Sequence, residues 1–377
     1  MKKWLLHIWM MGVLGMLAAS CSQDADDPTQ TESRAEKLQV YFTLDLGENG
    51  MDSRATWDGY DQHDTTQATD AEAGQGLETA VNDIQVLLFA NDDDNTFLGK
   101  AFVTMLTPES ASHLYTFYGE LPTIPTGFTI MDNNNNLNCK LMILANCPEV
   151  TGLTVGTSVI ENDVLKNITY SFDGTTNEIP MWGVLKATPT DAIKMQEGGF
   201  PNPLPDIYLI RAMAKIEITL DEAMSDYMLN SVKLSKANPK GYCIPTGYES
   251  VTTTKGLDLA GCMNAYTKSE TETYLTELTF LQNASGGWYI YVPECDITGD
   301  DYLEFELDFG NDVKKTFKHG NYNTTGVYQN SNDVIRNYYY KYNIIGINDG
   351  TDLEVIITIK AWNKRFMTYP AQGLVNS

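Results

Sequence analysis

The chain has 377 residues, a formal net charge of -25 and a sequence pI of about 4.4. That length is enough for a sizeable core and for two domains. With 25 Lys and Arg against 50 Asp and Glu there is no basic excess to release the counterions of a phosphate backbone, which argues against nucleic acid as a partner.

Lys2 and Lys3 precede an apolar run from Trp4 to Leu17, interrupted by His7 and followed by Ala18, Ala19, Ser20 and Cys21. A basic start, a run too short to span a bilayer comfortably and small residues at its end describe a signal peptide rather than a membrane helix. Small residues ahead of a cysteine resemble a bacterial lipoprotein signal over residues 1–21, with Cys21 as the acylated first residue. Ala18 stands where a larger apolar residue is usual. Residues 22–36 are rich in Ser, Gln, Asp, Thr and Glu, and read as a tether.

Leu38, Val40, Phe42, Leu44 and Leu46 then alternate strictly with Gln39, Tyr41, Thr43 and Asp45, the period of a strand with one face in a core. Asn49, Gly50 and Asp52 lead into Ser53-Arg54-Ala55, a basic residue in a stretch of loop composition. Cleavage after Arg54 would remove leader, tether and strand together, so that residues 22–54 form a removable unit and the body begins at Ala55. Arg34, also within Ser-Arg-Ala, is a competing site, but a cut there only shortens the tether.

Further strands are expected over residues 81–90, with both faces apolar, and over 96–105 as the partner of 81–90 across an Asn/Asp turn at 91–95. The pattern continues at 114–121 and 137–145. Residues 188–205 are rich in Pro and Gly and place a domain boundary there, giving domains at 55–205 and 206–377. Strands resume at 207–220, 231–234, 275–281 and 288–292, with a helical turn over 221–229. Residues 302–309 set Leu303, Phe305, Leu307 and Phe309 against Glu304, Glu306 and Asp308, and turn into 313–318. The last strands are 338–345 and 353–362, in which Leu353, Val355, Ile357, Ile359 and Ala361 share one face. The fold class is therefore all-β, as two β-sandwich domains.

Chemistry-bearing constellations are absent from this pattern. His7, His63, His113 and His319 are scattered, no nucleophile or His-x-x-x-His motif occurs, and Asp92 to Asp94 lack the spacing that wraps calcium. No cysteine pair has zinc-ligand spacing, so neither a metal nor a cofactor is expected and the chain reads as a non-enzyme. Without Cys21 five cysteines remain. Cys139 and Cys147 flank one strand too far apart to bridge, which leaves buried thiols or one bridge among Cys243, Cys262 and Cys295. Trp182, Trp288 and Trp362 read as core or interface anchors, and Arg336 with Asn337 as a turn before a strand.

Several landmarks occur in order. They are the leader, the first strand with Ser53-Arg54-Ala55, Ile179-Pro180-Met181-Trp182-Gly183, Arg211-Ala212-Met213-Ala214-Lys215-Ile216, Trp288-Tyr289-Ile290-Tyr291-Val292-Pro293-Glu294 and Ile335-Arg336-Asn337-Tyr338-Tyr339-Tyr340. Together they resemble the fimbrillins of Bacteroidetes, subunits of lipoprotein-derived type V pili. The resemblance implies two transthyretin-like β-sandwiches in tandem and a lipidated precursor at the cell outer membrane. It further implies a cut at Arg54 by a trypsin-like, Arg-specific protease and assembly into an extracellular fimbrium. There a neighbour's C-terminal strand fills the groove left by the first strand. Partners would be further copies or related pilus subunits, and a host or bacterial surface ligand. The tail at 363–377 contains Pro370 and Gly373 and lacks alternation, which departs from the shaft pattern and leaves shaft and tip both open. Alternatives are an anchored surface lipoprotein that binds glycans, or the pilus anchor, although an anchor should keep its first strand.

Five inward apolar side chains at about 1.5–3 kcal/mol each hold such a strand by an upper figure of about 10 kcal/mol. A cut strand should stay in place until an equivalent strand displaces it. Leu353, Val355, Ile357, Ile359 and Ala361 offer the matching alternation, and residues 366–375 are the second candidate donor.

Overall fold

The computed structural model describes residues 39–45, 76–108, 114–159, 164–188, 192–195, 202–205, 207–254, 257–297, 303–311, 313–322, 328–330, 332–347 and 353–361. Strands come first as β1 (Gln39–Asp45), then after a short helix α1 (Gly76–Thr79) as β2 (Ile84–Ala90), β3 (Phe97–Lys100), β4 (Phe102–Pro108), β5 (Leu114–Glu120) and β6 (Cys139–Ala145). Next are β7 (Thr169–Ser171), β8 (Met181–Lys186), β9 (Asn202–Pro203), β10 (Ile207–Tyr208) and β11 (Ile210–Arg211). After Ala212 follow β12 (Met213–Leu220), β13 (Ser231–Leu234), β14 (Lys240–Tyr242), β15 (Leu278–Thr279), β16 (Leu281–Gln282) and β17 (Trp288–Pro293). The remainder are β18 (Glu304–Asp308), β19 (Lys314–Lys318), β20 (Asn321–Tyr322), β21 (Tyr328–Asn330), β22 (Tyr338–Ile347) and β23 (Leu353–Ala361).

The fold is all-β, as the alternation and turn chemistry require. One sheet runs β10-β1-β5-β4 with β9 also on β1, and a second runs β11-β8-β6-β2-β3. A third runs β16-β17-β12-β22-β23 and a fourth β15-β13-β18-β19. The first two sheets use strands up to Arg211 and the next two use strands from Met213 onward; β7 and β14 pair across that division. From Lys37 onward the chain forms one compact unit.

Burial explains the central strands. Every residue of β6 is buried, and β2, between β6 and β3, is buried from Val86 to Ala90. Such a strand must be apolar on both faces. β18 shows the other pattern, with Phe305 and Leu307 fully buried and Glu304, Glu306 and Asp308 on the half-buried face. Phe305 and Phe317 of the fourth sheet meet Tyr342 of β22 with ring centroids 5.5 and 5.2 Å apart, so aromatic packing helps to join the third and fourth sheets. The helical turn expected after β12 is a single 3-10 turn over Glu222–Met224, capped by Asp221, whose Oδ1 accepts from the Ala223 amide at 3.0 Å.

The stretch expected as one strand over 96–105 is two strands, because the chain changes sheets at Ala101. β3 lies beside β2 in the second sheet, whereas β4 lies beside β5 in the first. Gly99 makes the approach to this crossing possible: a Cβ there would fall 2.8 Å from Pro122 Cγ, at a φ of 147°. Likewise the stretch over 207–220 divides into β10, β11 and β12, which belong to three different sheets.

Candidate functional site

β1 is not an edge strand. Along its full length it runs antiparallel to β5, from Gln39 opposite Glu120 to Asp45 opposite Leu114. Its other flank is parallel to β9 and β10, with Val40 opposite Asn202, Tyr41 opposite Pro203, Leu44 opposite Ile207 and Asp45 opposite Tyr208. The second flank is broken between β9 and β10, and Pro203 has no N–H to give. Removing β1 would open a slot with unpaired backbone on both sides.

One wall of that slot is fixed from below. A Cβ on Gly183 of β8 would stand 2.6 Å from Leu209 Cδ2 and 2.8 Å from the Tyr208 carbonyl oxygen. Only glycine lets β10 lie so close over β8, and Ile207 and Leu209 are buried there. The Met181-Trp182-Gly183 landmark is thus the seat of β10, with Trp182 buried as expected for a core anchor.

The other landmarks converge on a buried polar junction where the chain passes from the second sheet to the third. Arg211 ends β11, and its Nε and Nη2 donate to the Glu78 carbonyl of α1 at 2.9 and 2.7 Å. The Glu78 carboxylate accepts from Lys215 Nζ at 2.9 Å and from the Tyr291 hydroxyl at 2.7 Å. Lys215 Nζ also stands 5.4 and 5.3 Å from the ring centres of Tyr289 and Tyr339, a cation–π cradle. Burial, and then the Glu78 carboxylate, raises the Tyr291 hydroxyl well above its ordinary pKa, so it stays protonated and donates.

Asn337 closes the crossing. Its φ of 58° is left-handed, a conformation asparagine tolerates. From there its amide donates to the Met213 carbonyl at 2.8 Å while its Oδ1 accepts from the Arg211 amide at 3.3 Å, so one residue braces both sides of Ala212. Asn337 thus sits in the turn expected before a strand and caps backbone groups on both sides of Ala212. Arg336 lies in the turn before β22, as read from the sequence, and its side chain is in addition buried: its Nη2 and Nε donate to Glu294 Oε2 at 2.8 and 3.1 Å, and Nη1 donates to the Cys243 carbonyl at 3.2 Å. Losing one member of a buried pair like this typically costs about 3–5 kcal/mol, because the partner is left charged and dry.

The remaining sequence candidates fall as follows. Cys21, Leu38, Leu46, Arg54, Ala55 and the tail at 363–377 lie outside the described residues. Val40, Phe42 and Leu44 occupy alternate positions of β1, opposite Gly119, Phe117 and Tyr115. Leu353 and Val355 are buried in β23, Ile357 and Ile359 are half-buried, and Ala361 ends the strand opposite Tyr338. The structure therefore does not bring β1 and β23 together; they sit in different sheets. Cys139, Cys147, Cys243, Cys262 and Cys295 all carry free thiols. Among the described residues no helix is long and apolar enough to cross a membrane, and no cluster of three or more metal-ligating side chains occurs. Sequence reasoning missed the polar junction. Its one local signal is Arg211, Lys215 and Glu217 within an otherwise apolar strand run.

No family model and no curated protein matches the chain. Among solved structures, the tip fimbrial protein Mfa3 from Porphyromonas gingivalis, with a C-terminal truncation, matches 86% of this chain and 100% of its own at a TM-score of 0.51 and 15% identity. The chain shares its fold with a fimbrial tip protein. A candidate cell adhesion protein from Bacteroides uniformis matches 89% of this chain and 100% of its own, with a TM-score of 0.44 and 11% identity. The fimbrial anchor protein Mfa2 from Porphyromonas gingivalis matches 86% and 97% respectively, with a TM-score of 0.32 and 9% identity.

Proposed function

We propose that this chain is a fimbrillin: a structural, non-enzymatic subunit of a cell-surface pilus, made as a lipoprotein acylated at Cys21, cleaved after Arg54 and polymerised by donor-strand exchange. The observation that carries this reading is the position of β1 between two flanking ladders, in a chain that shares the fold of a fimbrial tip protein. A strand so placed leaves a template for another strand when it goes, whereas an edge strand leaves only a shorter sheet. The two pairs of sheets support reading the body as two tandem transthyretin-like sandwiches, at 55–205 and 206–377. Partners are other copies or related pilus subunits and an Arg-specific, trypsin-like protease, with the outer membrane as a lipid-held station before cleavage.

The donor is a C-terminal strand. β23 supports this by its alternation and by its place at the edge of the third sheet; residues 366–375 beyond it are the second candidate. Until cleavage, β1 competes at very high effective concentration for its own slot, so the precursor stays monomeric. The test is Arg54→Ala, which should leave full-length, membrane-attached monomers, while Arg34→Ala changes little. Trypsin added to purified precursor should give a body beginning at Ala55 that slowly forms detergent-resistant ladders. A natural surface form whose N-terminus is Cys21 or Ala35 would overturn the reading in favour of an anchor or an anchored binding lipoprotein.

A further inference from the structure

We infer that a cleft beside Phe102 receives the Lys364-Arg365 pair of a second copy of this chain, and so guides residues 366–375 of that copy into the β1 slot. The inference rests on the strand exchange proposed above and names a contact that directs it. Where the chain crosses from the second sheet to the first at Ala101, a cleft of about 410 Å³ lies between the start of β2, the end of β3 and the start of β4. Phe102 lines it and is 68% exposed, an aromatic ring open to a partner. Asp83 and Glu149 line it as well, and Lys100 is the one cation among the described residues that do. Lys100 is already engaged, with its Nζ donating to the Val150 carbonyl at 2.7 Å and standing 3.6 Å from Glu149 Oε1. The surplus charge is negative.

The walls of the cleft are held in place. Gln85 of β2 donates from Nε2 to the Cys147 and Pro148 carbonyls at 3.3 and 3.1 Å, and its Oε1 accepts from the Val150 amide at 2.8 Å, which pins the loop bearing Glu149 to β2. Burial, and then the Glu178 and Glu149 carboxylates, raise the Asp83 carboxyl above its ordinary pKa, so a cation brought to it would be welcome. A ring with carboxylates beside it suits a guanidinium or ammonium carried on a long apolar stem.

Strand register points to the cation. Gln39 of β1, Glu120 of β5 and Phe102 of β4 stand opposite one another on successive strands, which puts Phe102 two strand spacings, about 10 Å, from the leading end of the slot. A donor that reproduces both ladders of β1 runs as β1 does, so the residues just ahead of it arrive at this end. For a donor at 366–375 those residues are Lys364 and Arg365, adjacent cations in a chain of net charge -25. For β23 they are Asp349 to Asp352, which an acidic cleft repels. The cleft therefore favours the tail over β23 as the strand that enters.

The test uses the uncleaved full-length chain, with its own pair removed as Lys364→Gln and Arg365→Gln. A fluorescent peptide of residues 362–367 is titrated against it and followed by anisotropy. Saturable binding is expected, and it should weaken as salt rises. It should also weaken by about tenfold when the receptor carries Phe102→Ser with Asp83→Asn, or when the peptide carries Lys364→Glu with Arg365→Glu. Phe102 and Asp83 are both exposed, so the receptor variant keeps its fold. Absence of binding, or binding that survives either pair of changes, overturns the inference. Because β1 fills the slot throughout, this result is independent of cleavage and exchange. The pilus reading fails separately, if wild-type chains cut after Arg54 form no ladders. Where they do form, cut chains with Lys364→Glu and Arg365→Glu should build them about tenfold more slowly. An unchanged rate overturns the inference and leaves exchange through β23 standing.

Discussion

β1 and β23 share an alternating pattern, yet the fold holds them in opposite ways. β1 has β5 along one flank and β9 with β10 along the other, whereas β23 is hydrogen-bonded to β22 alone among the described strands. Backbone pairing would make β1 the harder strand to lose and β23 the easier. Packing reverses part of that, because β23 puts the buried Leu353 and Val355 into the core of its own sheets. Release of β1 creates an acceptor slot, and release of β23 damages the body that donates it. The comparison teaches that edge position does not by itself make a donor; under the strand exchange proposed above, residues 366–375, the second candidate, would be the donor whose loss costs the body less.

The sharpest way to break the comparison is Val355→Asp. Val355 is fully buried, and an unpaired carboxylate there should cost about 4 kcal/mol or more. Thermal melting should drop by many degrees. A variant that melts beside the parent would show that β23 separates freely from the body, restoring it as the favoured donor.

Acid tests the same core from behind. Tyr342 pairs with Ile357 of β23 and shares a 2.6 Å hydrogen bond with His319 Nδ1. Burial lowers the His319 pKa to about 4, below its ordinary 6.5. The unfolded chain therefore binds the proton first, and stability should fall as pH drops from 6.5 to 4, by roughly 3 kcal/mol. Urea midpoints at pH 7 and pH 4 measure this, and His319→Gln should remove most of the His-linked part. If that variant keeps the full acid sensitivity, the loss arises elsewhere than behind β22 and β23.

Ile356 is 42% exposed on the far face of β23, and Ile356→Thr should change stability by no more than about 0.5 kcal/mol. This small effect sharpens the comparison. A melting loss of several degrees would mean that a further segment of chain covers that face.

Most of the longer strands are legible in the sequence; the short ones such as β7, β14, β20 and β21, and the sheet each strand joins, are not. Alternation predicts β13 at its observed bounds and β23 to within one residue, because it is a local signal with a period of two. Alternation carries no mark of which neighbour a strand pairs with, so the sheet change at Ala101 and the division of 207–220 among three sheets were invisible. β8 was noted only as a landmark, since its pattern is apolar on both faces and Gly183 interrupts it. The polar junction escaped for another reason. Glu78 meets Lys215 and Tyr291, and Glu294 meets Arg336, across long stretches of chain, and no local spacing reveals such pairs. What the resemblance supplied as motifs, the structure explains as chemistry: Arg211, Lys215, Glu294, Arg336 and Asn337 are the residues that hold the crossing between sheets.

The flanks of β1 also set a direction. Because β5 is antiparallel to β1 while β9 and β10 are parallel to it, only a strand entering with the same sense as β1 can reproduce both ladders. A reversed strand would face a mismatched hydrogen-bond pattern on each side. Subunits joined through such slots would all point the same way, so the two ends of a fibre would be chemically different, one closing on a filled slot and the other offering an unfilled one. Growth would then proceed from a single end, and a chain able to accept a strand but not to donate one would stop it.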